Sequence, residues 1–147
     1  SYGVPGLRLG VLASGNEKYI KTINNNLPVW NINSFAEYFL QIINIYKKDY
    51  IEGCKKIKEE RDRFYKELIK IKDLYIYPSE ANYFMCKLLS GSANELAEYL
   101  LDNNKILIKV LNGKNGFDDG EYIRIAIKST IDNDYLVKSI KEYYNKK

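Results

Sequence analysis

The chain has 147 residues and a mass of 17.2 kDa, with 46% hydrophobic and 29% charged residues, a composition that folds around a core and excludes a disordered chain. No apolar run approaches the ~18 residues of a membrane-spanning helix, and the net charge of +4 is dispersed as Lys/Glu mixtures, the signature of a solvated surface and not of a nucleic-acid patch. Histidine is absent, so Ser-His-Asp and Cys-His triads and histidine-ligated metals are excluded within the segment, and any chemistry has to come from a cofactor.

Along the chain, Leu7, Leu9 and Val11 alternate with Arg8, Gly10 and Leu12, which predicts a strand with Arg8 turned away from its apolar face. Ser14 with Glu17 is a capping-box pattern, and Tyr19, Ile20, Ile23 and Leu27 follow at helical spacing until Asn24-Asn25-Asn26 and Pro28 stop the helix. A turn through Pro28 leads to a second box, Ser34 with Glu37. The helix it starts places Phe35, Phe39, Ile42, Ile43, Tyr46 and Tyr50 on one side. Beyond Gly53 the apolar set resumes at Cys54, Ile57, Phe64, Leu68 and Ile71, while Glu59 with Arg63 and Asp62 with Lys66 have the spacing of surface ion pairs. This region reads as one long bent helix or two abutting ones. Cys54 and Cys86, far apart and without CxxC spacing, read as isolated buried thiols of a reducing cytoplasm.

The period changes after Lys72. A short extended segment at 74–77 and a Pro-Ser turn precede a strand from Asn82 to Leu88. Ser92 with Glu95 gives a third capping box before Leu96, Ala97, Leu100 and Leu101. "ILIKVL" reads as a strand, "NGKNGFDDG" as a loop, and "YIRIAIKS" as a strand alternating Ile123, Ile125 and Ile127 against Tyr122, Arg124 and Ala126. A last helix starts near Asp132, with Ile131 and Leu136 as a hydrophobic staple. The C-terminal half is thus a β-α-β-β-α unit.

Two of the four arginines, Arg61 and Arg63, lie on the charged face of the long helix; Arg8 and Arg124 lie mid-strand, opposite a run of Leu or Ile. A guanidinium is costly to bury unpaired, and its fork matches carboxylate and phosphate where lysine's point charge does not. Each of the two is therefore either a snorkelling or ion-paired sheet-edge residue or an anion-binding residue. Gly6 and Gly10, two residues either side of Arg8, leave room for an anion to approach the backbone.

"SYGVPGLRLGVLAS", "YPSEANYF" and "YIRIAIKS", in this order and at these distances, resemble the C-terminal part of the class I/II, fold type I pyridoxal-phosphate aminotransferases, in particular the histidinol-phosphate aminotransferase and threonine-phosphate decarboxylase group. The resemblance implies an α/β fold in three parts. Residues 1–32 would end a large cofactor-binding domain, residues 33–72 would form connecting helices, and residues 73–147 a small C-terminal α+β domain. It implies pyridoxal 5′-phosphate as cofactor, with its phosphate on Arg8 and the substrate carboxylate or phosphate on Arg124. No catalytic residue falls within the segment, since the Schiff-base lysine is expected immediately before Ser1. The partners it implies are small-molecule substrates, an amino acid that can carry a phosphate as in histidinol phosphate and a 2-oxo acid, and the assembly a homodimer, with no metal. Transamination and decarboxylation stay open, because "PVWNINSFAEYF" resembles the two groups equally well. A non-catalytic RNA-binding or regulatory module is the reading from another class, and neither "NYFMCKLL" nor "YIRIAIKS" matches the RNA-stacking motif it would need.

Overall fold

Five α-helices and four strands form within residues 4–117 and 119–146, the residues described by the computed structural model. The chain divides into two units, residues 1–53 and 54–147.

In the first unit, a 3₁₀ turn at Pro5–Leu7 replaces the predicted strand over Leu7–Leu12. Proline sets φ for the turn, and Arg8 closes it in the left-handed region at φ 54° and ψ 29°, its N–H donating to Pro5 O at 3.1 Å. The alternation of Leu7, Leu9 and Val11 is real, but no strand lies beside it among the described residues, and an extended pattern becomes a strand only when a neighbour takes its hydrogen bonds. Helix α1 spans Glu17–Asn25 and ends at the asparagine run. Its cap is Asn16, whose side chain accepts from Lys18 N and Tyr19 N, while Ser14 Oγ accepts from Asn16 N. Helix α2, Ser34–Ile42, is likewise capped by Asn33 and not by Ser34. Both corrections have one cause: an amide oxygen stood next in line and met the first free N–H groups.

Helix α3, Lys47–Leu68, follows α2 after a turn at 43–46, so the abutting-helix alternative holds. Its C-terminal part belongs to the second unit and buries Phe64 and Leu68 completely. Cys54 is exposed, not a buried thiol, and Ile57 is exposed as well, so the apolar spacing runs ahead of the core by more than a turn. The remaining elements are β1 (Leu74–Ile76), β2 (Tyr83–Leu88), α4 (Ala93–Asn104), β3 (Lys109–Val110), β4 (Glu121–Ala126) and α5 (Thr130–Asn145). The strands form one antiparallel sheet in the order β1-β2-β4-β3. The "ILIKVL" strand shrinks to two residues.

Alternation decides the sheet's two faces. Leu74, Ile76, Phe84, Cys86, Leu88, Ile123 and Ile125 point into the core and join Leu96, Leu100, Leu136, Val137 and Ile140. Each such side chain contributes about 1.5–3 kcal/mol when removed from water. Burial pushes the Cys86 thiol up to about 12, so it stays protonated and inert. Ser92 stands at the N-cap of α4 without a side-chain cap bond; Glu121 Oε2 takes Ala93 N at 2.6 Å instead and also accepts from Asn112 Nδ2 at 2.8 Å. The staple at the start of α5 does not form, since Ile131 lies inside the helix at 82% exposure and Ser129 is the cap.

The ion pairs also differ from the predicted ones. Arg63 turns to Glu60 at 2.7 Å and to Asp134 at 2.8 Å, Asp62 lies 3.9 Å from Arg61, and Glu59 faces Lys55. Glu60 also accepts from Thr130 Oγ1 and from the buried Asn133, which joins α3 to the start of α5.

Candidate functional site

The four arginines part into two pairs. Arg61, read from sequence as a solvated surface residue, is buried, and its fork is spent on Glu80: Nη1 donates to the backbone oxygen at 2.6 Å and Nη2 to Oε2 at 2.7 Å. It thereby ties α3 to the turn before β2. Arg63 is committed to Glu60 and Asp134. Arg8 and Arg124 are exposed, and among the described residues neither has a carboxylate partner.

Arg8 belongs to the first unit. A non-glycine residue in the left-handed region costs roughly 1–2 kcal/mol, and such positions concentrate where the chain binds something. The turn before it is held by Asn33, whose Nδ2 donates to Leu7 O at 2.9 Å while its Oδ1 caps α2. A Cβ added at Gly6 or Gly10 would meet nothing within 4 Å, so the approaches to the Arg8 backbone are open.

Arg124 belongs to the second unit and lies on the outer face of β4, opposite the buried Ile123 and Ile125. Its cross-strand partners are Met85 on β2 and Lys109 on β3. The guanidinium lies 5.0 Å from the centroid of the Tyr83 ring. Lys87 shares this face, held over the Tyr122 ring at 5.1 Å and lying 3.9 Å from Asp119. Its ammonium pKa is raised, first by its hydrogen bond with Tyr122. Three cations, Lys87, Lys109 and Arg124, thus stand on one sheet face with Asp119 paired to one of them, a field that favours an anion. The sequence reading found Arg124 by its place in the Ile alternation. It passed over Lys109, whose signal was the same alternation in a strand that proved only two residues long.

Among the described residues there is no cluster of three or more His, Cys, Asp or Glu side chains able to hold a metal. Among the same residues no helix is long and apolar enough to cross a membrane.

The family described as aminotransferase class I and II matches residues 1–140, and the chain belongs to that family. It is 30% identical over 142 residues to a CMP-5′-(3-aminopropyl)phosphonate synthase from Streptomyces rubellomurinus, covering 96% of this chain and 23% of the relative. It is 32% identical over 144 residues to an L-serine phosphate decarboxylase from Campylobacter jejuni, covering 95% and 36%. Its fold matches that of the histidinol-phosphate aminotransferase from Clostridium acetobutylicum with a TM-score of 0.85 at 32% identity, over 99% of this chain and 43% of that one. The chain spans less than half the length of each. The resemblance read from "GLRLG", "SEANYF" and "YIRIAIKS" and the mixed α/β fold with its α+β C-terminal part are thereby borne out.

Proposed function

We propose that the chain is the C-terminal part of a pyridoxal-phosphate-dependent aminotransferase that transfers an amino group between an amino acid, of the kind that can carry a phosphate, and a 2-oxo acid. Residues 1–32 end its large domain, 33–72 connect, and 73–147 form its small domain. The observation that supports this most directly is the fate of the arginines. Two are consumed by carboxylates, and the two without a carboxylate partner among the described residues are those that the family's motifs would assign to anions.

Arg8 would hold the cofactor phosphate. The residues present fit such a group: a guanidinium with no carboxylate partner among the described residues, a left-handed backbone and open space at Gly6 and Gly10 together make room for a tetrahedral anion. The cofactor, when bound, supplies the electron sink for charge left at the substrate Cα. Arg124 would hold the substrate carboxylate or phosphate by a two-pronged hydrogen bond and so orient the bonds at Cα. Lys109, directly across from it, adds a second positive charge and favours a donor carrying two anionic groups, such as an amino acid phosphate. By family resemblance the intact enzyme works as a homodimer, and two cysteines far apart without CxxC spacing favour a reducing cytoplasm.

Decarboxylation of an amino acid phosphate is the second reading. The L-serine phosphate decarboxylase relative, 32% identical across most of this chain, favours it. The same two arginines serve both reactions, and the direction in which the carboxylate is held decides between them. Incubating the intact, cofactor-loaded enzyme that contains this chain with phosphoserine, phosphothreonine or histidinol phosphate, with and without a 2-oxo acid, tests the proposal. Amino transfer supports the first reading, carbon dioxide release the second, and neither with any donor overturns both.

A further inference from the structure

We propose that Tyr83 is a positioning residue for Arg124, its ring fixing where the guanidinium grips an anion; this rests on the reading of Arg124 as the substrate-anion residue. Arg124 has a long side chain at an exposed strand position and, among the described residues, no carboxylate to hold it. Its neighbour across β3 is Lys109, a like charge that pushes it away, and across β2 it meets the uncharged Met85. What it rests on is the Tyr83 ring, at 5.0 Å. Tyr83 pairs with Ala126 and so sits diagonally from Arg124, where the small methyl of Ala126 leaves the ring uncovered.

The choice of an aromatic partner has a chemical consequence. A carboxylate would hold the guanidinium by its N–H edge, as Glu80 holds Arg61, and would compete with the substrate for that edge. A ring attracts the cation through its face and leaves the N–H fork free to donate to two anion oxygens. Tyr83 is 39% exposed, and its hydroxyl makes no hydrogen bond among the described residues, so the ring and not the hydroxyl carries the role.

The test compares Tyr83→Phe, Tyr83→Leu, Tyr83→Thr and Arg124→Ala in the intact, cofactor-loaded enzyme with a turned-over amino acid phosphate. Tyr83→Leu and Tyr83→Thr should raise KM about three- to five-fold, the strength of an exposed cation–ring contact, with kcat changed less than about twofold. Tyr83→Phe should match the parent. In the Arg124→Ala background the Tyr83 changes should have no further effect. A readout without turnover is the Arg124 Nε–H proton resonance, which the ring current should displace in the parent and in Tyr83→Phe but not in Tyr83→Leu. If Arg124→Ala weakens the donor while Tyr83→Leu leaves both KM and the resonance alone, the positioning role is wrong and the Arg124 reading stands. If Arg124→Ala leaves every anionic donor unaffected, the underlying reading is wrong. Equal damage from Tyr83→Phe and Tyr83→Leu, or a Tyr83 effect that persists without Arg124, overturns the proposal.

Discussion

Arg124 faces outward while Ile123 and Ile125 supply the buried face of β4, so the proposed binding role of Arg124 can be tested apart from folding. A hydrogen bond to a charged group contributes about 1.5–3 kcal/mol, so Arg124→Ala should lower kcat/KM for the amino donor by roughly ten- to a hundred-fold. The thermal midpoint should stay where it is; a large drop would return Arg124 to a structural role. Arg8 makes the complementary case. Arg8→Ala should let the cofactor leave on dialysis, read as loss of its absorbance, whereas Arg124→Ala should retain it. Cofactor retention unchanged in Arg8→Ala would count against the phosphate assignment.

Between elements, stability hangs on side chains far apart in sequence. The N-terminus of α4 is capped from β4, by Glu121, and not by the adjacent Ser92. Ser92→Ala should therefore change stability by less than about 0.5 kcal/mol, and Glu121→Ala should cost about 1–3 kcal/mol, since it strands Ala93 N and Asn112. Urea unfolding of the two variants checks this, and a larger loss from Ser92→Ala would contradict it. The joint of α3 and α5 adds a pH dependence. The hydrogen bond from Arg63, with those from Asn133 and Thr130, outweighs burial and lowers the Glu60 carboxyl from its ordinary 4.5 to about 2. A carboxyl whose folded pKa is depressed stabilises the fold above its unfolded pKa and loses that stabilisation as pH falls through the folded value. The denaturation midpoint should thus decline between about pH 4.5 and about pH 2. Glu60→Gln should start lower and show a shallower decline; an unchanged acid limb in that variant would exclude Glu60 as its source.

For the whole molecule, the first unit leaves apolar side chains in water: Val11 at 95%, Val29 at 90% and Trp30 at 91% exposure. Surfaces of this kind are normally covered by other protein. The 147-residue chain by itself should self-associate as concentration rises. Trp30 is the sole tryptophan, so its emission should move to shorter wavelength in step with the sedimentation coefficient. A monomer with unshifted emission at high concentration would show that these side chains tolerate water.

What could be read from the residues in order was whatever is recorded at short spacing. The Ile123, Ile125 and Ile127 alternation marks β4 and leaves Arg124 outward, the asparagine run ends α1, and "GLRLG" with "YIRIAIKS" carries the family. Local repeats of two and of three to four residues are written into each segment wherever one face is buried. The rest waited on partners distant along the chain. Leu7–Leu12 has a strand's pattern, but its hydrogen bonds needed a neighbour that the described residues do not include. Arg61 and Arg63 look alike on paper, and only the approach of Glu80, nineteen residues on, and of Asp134 separates a buried tie from a surface pair. Ser92 resembled a cap until β4 brought Glu121 to the same N–H. Burial and spacing repeat locally, and a sequence displays them; which acceptor reaches a given donor first depends on how segments are brought together, and that was decided by the tertiary fold.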